Sequence, residues 1–512
     1  MTTLRLDGTS LTLADLAPFF AGEALTLELT EAAKTRVRTA RGIVDRAVAE
    51  NQVVYGLTTG FGKLRNVAIA GDDLAPLQRN LILSHCCGTG DPMPAHVVRM
   101  ILLLRINMLS RGHSGVRLET LERMIDAFHA GFVAYVPSRG SVGASGDLAP
   151  LAHLTAALMG EGEALVDGVR VPAAEGLAEC GLDPVVLGAK EGLALINGTE
   201  VMLSLGLDAY FRAANASKLM DATAALSIEA LLGSLKPFDD RIAKLKGQLG
   251  HALVAQNVRA CLANSEVLTS HADCDRVQDP YSLRCVPQVH GAVKTALAHV
   301  AEVLANELNS VTDNPLIFPD TNEVISAGQF HGMPISMVLD YLSIALSTVA
   351  NISERRIEQL VNPDLSRLPA FLTPDPGLHS GMMIAQVAAA ALASENKSYA
   401  HPASVDTIPT SANQEDHVSM GVTAAHKARA IVTNVERVLA IEILCAAQGR
   451  EFHAELSAGD GAAALRSAVR RDVPKLDADR YLARDIEVVV ERILDGSLTQ
   501  AVEAATGGLA AH

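Results

Sequence analysis

The sequence predicts a mainly α protein: an N-terminal mixed helical domain followed by a long central helical bundle. Three observations predict it. Hydrophobic residues make up 49% of the 512 residues but aromatics only 4%, and there is no Trp, a composition that suits close helix packing better than aromatic-rich strands. The tract 199–233 is apolar nearly all round, as buried helices are, and further long helical tracts follow it. Between them lie short polar loops, the expected ends of a bundle. The length exceeds one ordinary core and suits two or three domains. The divisions expected are 1–198, an N-terminal domain; 199–450, the central bundle; and 451–512, smaller C-terminal helices.

Along the chain, Leu4 and Leu6 alternate as in a short strand. Thr30 is a candidate N-cap, and Ala40, Ile43, Val44, Ala47 and Val48 follow with helical spacing. VYGLTTGFGKLRN (54–66) breaks that period with Gly56, Gly60 and Gly62 and reads as a loop. A strongly apolar helix is expected near 97–109, ended by RGHSG (111–115). SVGASGDLAP (141–150) is a loop, with a helix starting near Pro150. Residues 164–196 hold β-like pieces such as EALVDGVRV. From 199 to 233 one long helix, or two abutting ones, is expected. Further helical tracts span 288–310, 333–361, 379–399 and 416–448. The nearest approach to a membrane span, 375–395, is Ala-rich and holds His379, Ser380 and Gln386, so a bundle helix is the better reading.

Composition narrows the function. A formal net charge of −16 repels phosphate backbones, so no nucleic acid partner is expected. No basic amphipathic stretch points to a membrane. The seven cysteines are odd in number and form no C-x-x-C, and Cys86 and Cys87 are adjacent, so free thiols in a reducing cytoplasm are expected and no metal site. MTTLRLDGTSLTLADL lacks a basic region followed by an apolar run, so no signal peptide is expected. No dinucleotide fingerprint, phosphate-binding loop, H-E-x-x-H or G-x-S-x-G occurs.

Ala144-Ser145-Gly146 has another possible chemistry. The amide nitrogen of Gly146 can attack the carbonyl carbon of Ala144, an approach that any side chain at 146 would hinder. Loss of one water closes an imidazolone ring. Loss of a second, from Ser145, leaves an exocyclic methylene conjugated with it. The product is a strong electrophile, a function no ordinary side chain supplies. On its own, a tripeptide of small residues is more often a turn.

SVGASGDLAPLAHL resembles the signature of the aromatic amino acid ammonia-lyases, which form a methylidene-imidazolone group from Ala-Ser-Gly. Other blocks agree in order: YGLTTGFG (55–62), NLILSHCCG (80–88), LINGT (195–199), QDPYSLRCVPQVHG (278–291), SVTDNP (310–315), GQFHG (328–332) and TSANQEDHVSMG (410–421). The resemblance covers almost the whole chain and is to the histidine enzymes of that family. It implies elimination of ammonia from L-histidine to give urocanate, with the group formed from Ala144, Ser145 and Gly146 as the cofactor and no external one. It also implies a homotetramer with sites shared between subunits.

Roles follow for single residues. Tyr55 is the candidate base for the β-proton; a free tyrosine has a pKa near ~10 and needs nearby positive charge or donors to act so. Its ordinary alternative is a ring packed under a loop. Arg284 offers a fork to the substrate carboxylate. Asn197 and Gln278 supply donors to the carboxylate or to the ring carbonyl. Tyr281 and Phe330 line the site. His85, after Ser84, and Glu415 match the histidine type and can hold both imidazole nitrogens. A phenyl substrate would leave a buried Glu415 charge unpaired. Cys86-Cys87 departs from the two small residues, such as alanines, that the resemblance implies, which bears on fine specificity. The competing readings are a tyrosine or phenylalanine ammonia-lyase or aminomutase, and a catalytically silent helical scaffold.

Overall fold

A computed structural model of the chain describes residues 2–50, 52, 74–274 and 276–512. It is mainly helical, as expected, and its strands form only two-stranded pairs among the described residues. The chain forms two compact units. One gathers Met1–Asp208, Ala301–Leu339 and Pro402–His426; the other gathers Ala209–Val300, Asp340–His401 and Lys427–His512.

In the first unit, Thr2–Leu6 pairs in parallel with Leu25–Leu29, setting Leu4 opposite Leu27 and Leu6 opposite Leu29. Thr30 caps the helix Glu31–Ala49 by accepting from the Ala33 amide at 3.2 Å. The buried face of that helix is Val37, Ala40, Ile43, Val44 and Ala47, the period read from the sequence. The helix Ala95–Ser110 is buried on every side from Met100 to Ser110, and carries Arg105 and Asn107 inward with the apolar residues. EALVDGVRV becomes the hairpin Glu163–Val166 and Val169–Pro172. Asp167 and Gly168 both have positive φ at its turn, the conformation that matches strand twist in two-residue hairpins. Lys190 and Asp313 form a fully buried ion pair at 2.7 Å.

In the second unit, long helices bury several charges in paired sets. Arg356 donates to both carboxylate oxygens of Glu442, at 2.6 and 2.8 Å. Asp221 takes bonds from His290 at 2.7 Å and Asn257 at 2.8 Å, and pairs with Lys294 at 3.2 Å. The segment 375–395 leads into the helix Met383–Tyr399, whose buried face is Ala385, Ala389, Ala393 and Asn396. Met333–Val361 is long and apolar enough to cross a membrane, but 72% of its most apolar stretch is buried, as in a core helix.

The long helix predicted at 199–233 is a single one, Glu200–Ala230. The tract expected from 416 begins at Gly421 instead, because the preceding residues build a loop of the site.

Candidate active site

The segment 141–147 is held from several directions within the first unit. Gly146 has φ +76°, and a Cβ there would lie 2.2 Å from the Gly198 carbonyl oxygen, so no other residue fits. The Asp147 amide donates to that same oxygen at 2.8 Å. Asn197 Nδ2 donates to the Ser145 carbonyl at 2.7 Å. Ser145 Oγ donates to Glu415 Oε1 at 2.7 Å. The Met420 amide donates to the Val142 carbonyl at 2.9 Å.

Glu415 is set by its own loop. Its second oxygen accepts from the hydroxyls of Thr410 at 2.7 Å and Ser411 at 2.8 Å. Between them Ser411, Ala412 and Asn413 all have positive φ, a run that non-glycine residues adopt at about 1–2 kcal/mol each. Strain of this kind is stored where a side chain must be aimed.

The amino ends of three helices reach this segment, and that of a fourth reaches it through Ser419. Asp147 precedes the helix Leu148–Leu158 and accepts from the Met202 amide, in the first turn of Glu200–Ala230, at 2.9 Å. Ser336, in the first turn of Met333–Val361, donates to the Ser419 carbonyl just before Gly421–Gly449, at 2.6 Å. Helix amino ends carry partial positive charge and favour developing negative charge nearby. Asp147 is wholly buried, and burial pushes its carboxyl up to about 7. Bonds from the Met202 amide and the Ser141 hydroxyl oppose that rise, and the charge of Glu200 adds to it.

His85 is the last residue of the helix Leu74–His85. Its Nδ1 lies 2.7 Å from the Leu81 carbonyl, so Nδ1 carries the ring proton and Nε2 is the acceptor edge. Phe330 is half-buried in the turn before Met333–Val361. Tyr55 lies outside the described residues.

Gln278, Tyr281 and Arg284 belong to the second unit, where they line a cavity of about 400 Å³. The Arg284 guanidinium lies 4.5 Å from the centre of the Tyr281 ring, a cation–π contact, and its buried Nε has no hydrogen-bond partner. The neighbouring Arg276, by contrast, is tied to the Leu231 carbonyl at 3.0 Å and to Asp279 at 3.3 Å. Arg284 thus keeps donor capacity there for an anion.

The structure therefore brings Ala144, Ser145, Gly146, Asn197 and Glu415 together in one unit and Gln278, Tyr281 and Arg284 together in the other. The bonds of His85 stay within its own helix. Sequence reasoning missed Asp147 and Ser141. An acid directly before Leu-Ala-Pro was a helix-cap signal, but its burial was not readable.

The aromatic amino acid lyase family model matches residues 11–471. The chain belongs to that family. Members of the aromatic amino acid lyase family similar to it include the histidine ammonia-lyase of Myxococcus xanthus, 51% identical over 98% of this chain and 99% of that one. The histidine ammonia-lyase of Symbiobacterium thermophilum is 52% identical over the same shares. Among solved structures, histidine ammonia-lyase from Trypanosoma cruzi has a TM-score of 0.92 and 43% identity, covering 99% of this chain and 96% of that one. Tyrosine aminomutase from Streptomyces globisporus also has a TM-score of 0.92, with 36% identity over 98% of each chain. Family membership makes the chain an enzyme, a carbon–nitrogen lyase, and excludes the silent scaffold.

Proposed function

We propose that the chain is a histidine ammonia-lyase that converts L-histidine to trans-urocanate and ammonia, using a methylidene-imidazolone formed from Ala144, Ser145 and Gly146. The observation that carries this reading is the holding of Ser145 between Asn197 and Glu415, at 2.7 Å each. The residues fit the group. The Ser145 carbonyl becomes the ring carbonyl on cyclisation, and Asn197 already donates to it. The Ser145 hydroxyl must leave as water, and a carboxylate already holds it. Gly146, which must be the nucleophile, sits where only glycine fits.

Once formed, the group supplies a conjugated methylidene that is electrophilic towards an amine. Asn197 and the helix amino ends withdraw electron density from that carbonyl. Tyr55 takes the β-proton. Arg284 holds the carboxylate as a fork, with Gln278 as a further donor, and Tyr281 and Phe330 line the site. For the imidazole, His85 Nε2 accepts from one ring N–H, and Glu415 faces the other nitrogen.

The catalytic unit is a homotetramer in which loops of different subunits complete each site. Exposed apolar residues support this: Tyr341 and Ile344 on one long helix, and Ile384 and Val387 on another, are 43–65% exposed and fall at i and i+3. The enzyme works in the cytoplasm, consistent with its seven unpaired thiols. It needs no external cofactor, and Cys86 and Cys87 tune the pocket wall near His85.

The test is an absorbance assay for urocanate, run beside tyrosine and phenylalanine. Turnover of histidine well above both is expected. Preference for tyrosine or phenylalanine would overturn the assignment of His85 and Glu415.

A further inference from the structure

Behind the 144–146 segment lies a buried ion pair whose arginine has no part in the site described so far. Arg105 is 1% exposed and Glu200 is 3% exposed. A single nitrogen of Arg105, Nη1, donates to two acceptors: Glu200 Oε1 at 2.9 Å and the Asn197 carbonyl at 3.0 Å. Thr312 Oγ1 donates to the same Glu200 oxygen at 3.2 Å. These side chains close on Gly198 from below. A Cβ on Gly198 would lie 2.4 Å from Glu200 Oε2, 2.5 Å from Arg105 Nη1 and 2.7 Å from Thr312 Oγ1. From the opposite side Gly198 meets Gly146, whose own Cβ would fall 2.2 Å from its oxygen. Asn197–Gly198 is therefore clamped between a charged floor and the segment that must cyclise.

We propose that Arg105 is a positioning residue for that cyclisation, and this rests on the function proposed above. In the first dehydration the Gly146 nitrogen bonds to the Ala144 carbon. The Ala144 oxygen then leaves as water with the amide protons of Gly146 and Ser145, creating a carbon–nitrogen double bond. In the second, the Ser145 hydroxyl leaves with its Cα proton as water. The first step needs Gly146 pressed towards Ala144, and both need the Ser145 carbonyl fixed on Asn197. Arg105 supplies this by tying the Asn197 main chain to the first residue of the helix Glu200–Ala230. An apolar side chain could fill the volume but could not join those two elements. A charge pair held this deep is costly to desolvate, and in this proposal it is retained for the geometry it fixes.

The experiment compares the full-length wild type with Arg105→Lys and with the double variant Arg105→Met/Glu200→Leu, which removes both charges together and leaves neither stranded. Circular dichroism and thermal unfolding report the fold. The mass of the tryptic peptide Gly140–Arg170, followed in time after synthesis, reports dehydration independently of activity. The expected result is a folded double variant that dehydrates about tenfold more slowly or worse, with Arg105→Lys intermediate. Should the double variant fail to fold, the Arg105→Lys time course decides alone. Dehydration of Arg105→Lys or of a folded double variant at the wild-type rate would overturn the proposal. A wild-type peptide that keeps both waters would overturn the functional reading instead, and this proposal with it.

Discussion

Ser145 and Glu415, 270 positions apart, are joined by a 2.7 Å hydrogen bond from the serine hydroxyl to a carboxylate oxygen. The acid that the resemblance assigns to substrate recognition is thus placed on the hydroxyl that the proposed cyclisation would expel. The two tasks occur at different times. In the proposed function, loss of the Ser145 hydroxyl frees Glu415 Oε1 for a substrate nitrogen, while Thr410 and Ser411 hold Oε2.

Glu415→Gln keeps the size and an acceptor but removes the charge. With histidine, kcat/KM should fall by about a hundredfold, the usual scale for a lost charged hydrogen bond at a reacting centre. Steady-state rates with histidine check this. An unchanged value would remove Glu415 from substrate recognition.

Asp147 makes stability depend on pH. Its carboxyl is raised from an ordinary 3.8 to about 7 in the folded chain. Between these values the unfolded chain gives up the proton while the folded chain keeps it, so stability falls as pH rises through this window and levels off above about 7. Asp147→Asn removes that titration. Thermal unfolding of both proteins across the window should show the wild type losing stability relative to the variant as pH rises. Parallel curves would contradict it.

Arg284→Met should raise KM for histidine by about tenfold to a hundredfold, since a guanidinium–carboxylate pair is worth about 1.5–3 kcal/mol. Arg284→Lys should recover part of the loss, because a point charge lacks the fork. Initial-rate kinetics decide it. A KM unchanged in Arg284→Met would give the carboxylate to another cation.

How far the sequence disclosed this differs from element to element. Met333–Val361 matches its prediction at both ends, because glycine and proline punctuation and an apolar period agree there. Thr30 and the Asp167-Gly168 turn were readable from local chemistry alone. The parallel pairing of Thr2–Leu6 with Leu25–Leu29 was not, since Leu25–Leu29 finds its partner across an intervening helix. The late start of Gly421–Gly449 was hidden because Ser411, Ala412, Asn413 and Met420 take left-handed conformations without being glycine. In the site, Gly146 was singled out because the proposed cyclisation serves only glycine, and the structure leaves no room for a Cβ there. Arg105 did not, because an arginine inside an apolar helical tract gives no sign of what it faces.

The most direct measurement of the central claim is the mass of the tryptic peptide Gly140–Arg170 from the mature wild-type protein. The proposed cyclisation predicts a peptide lighter than its sequence by two waters. A peptide of full sequence mass, isolated from active enzyme, would contradict it.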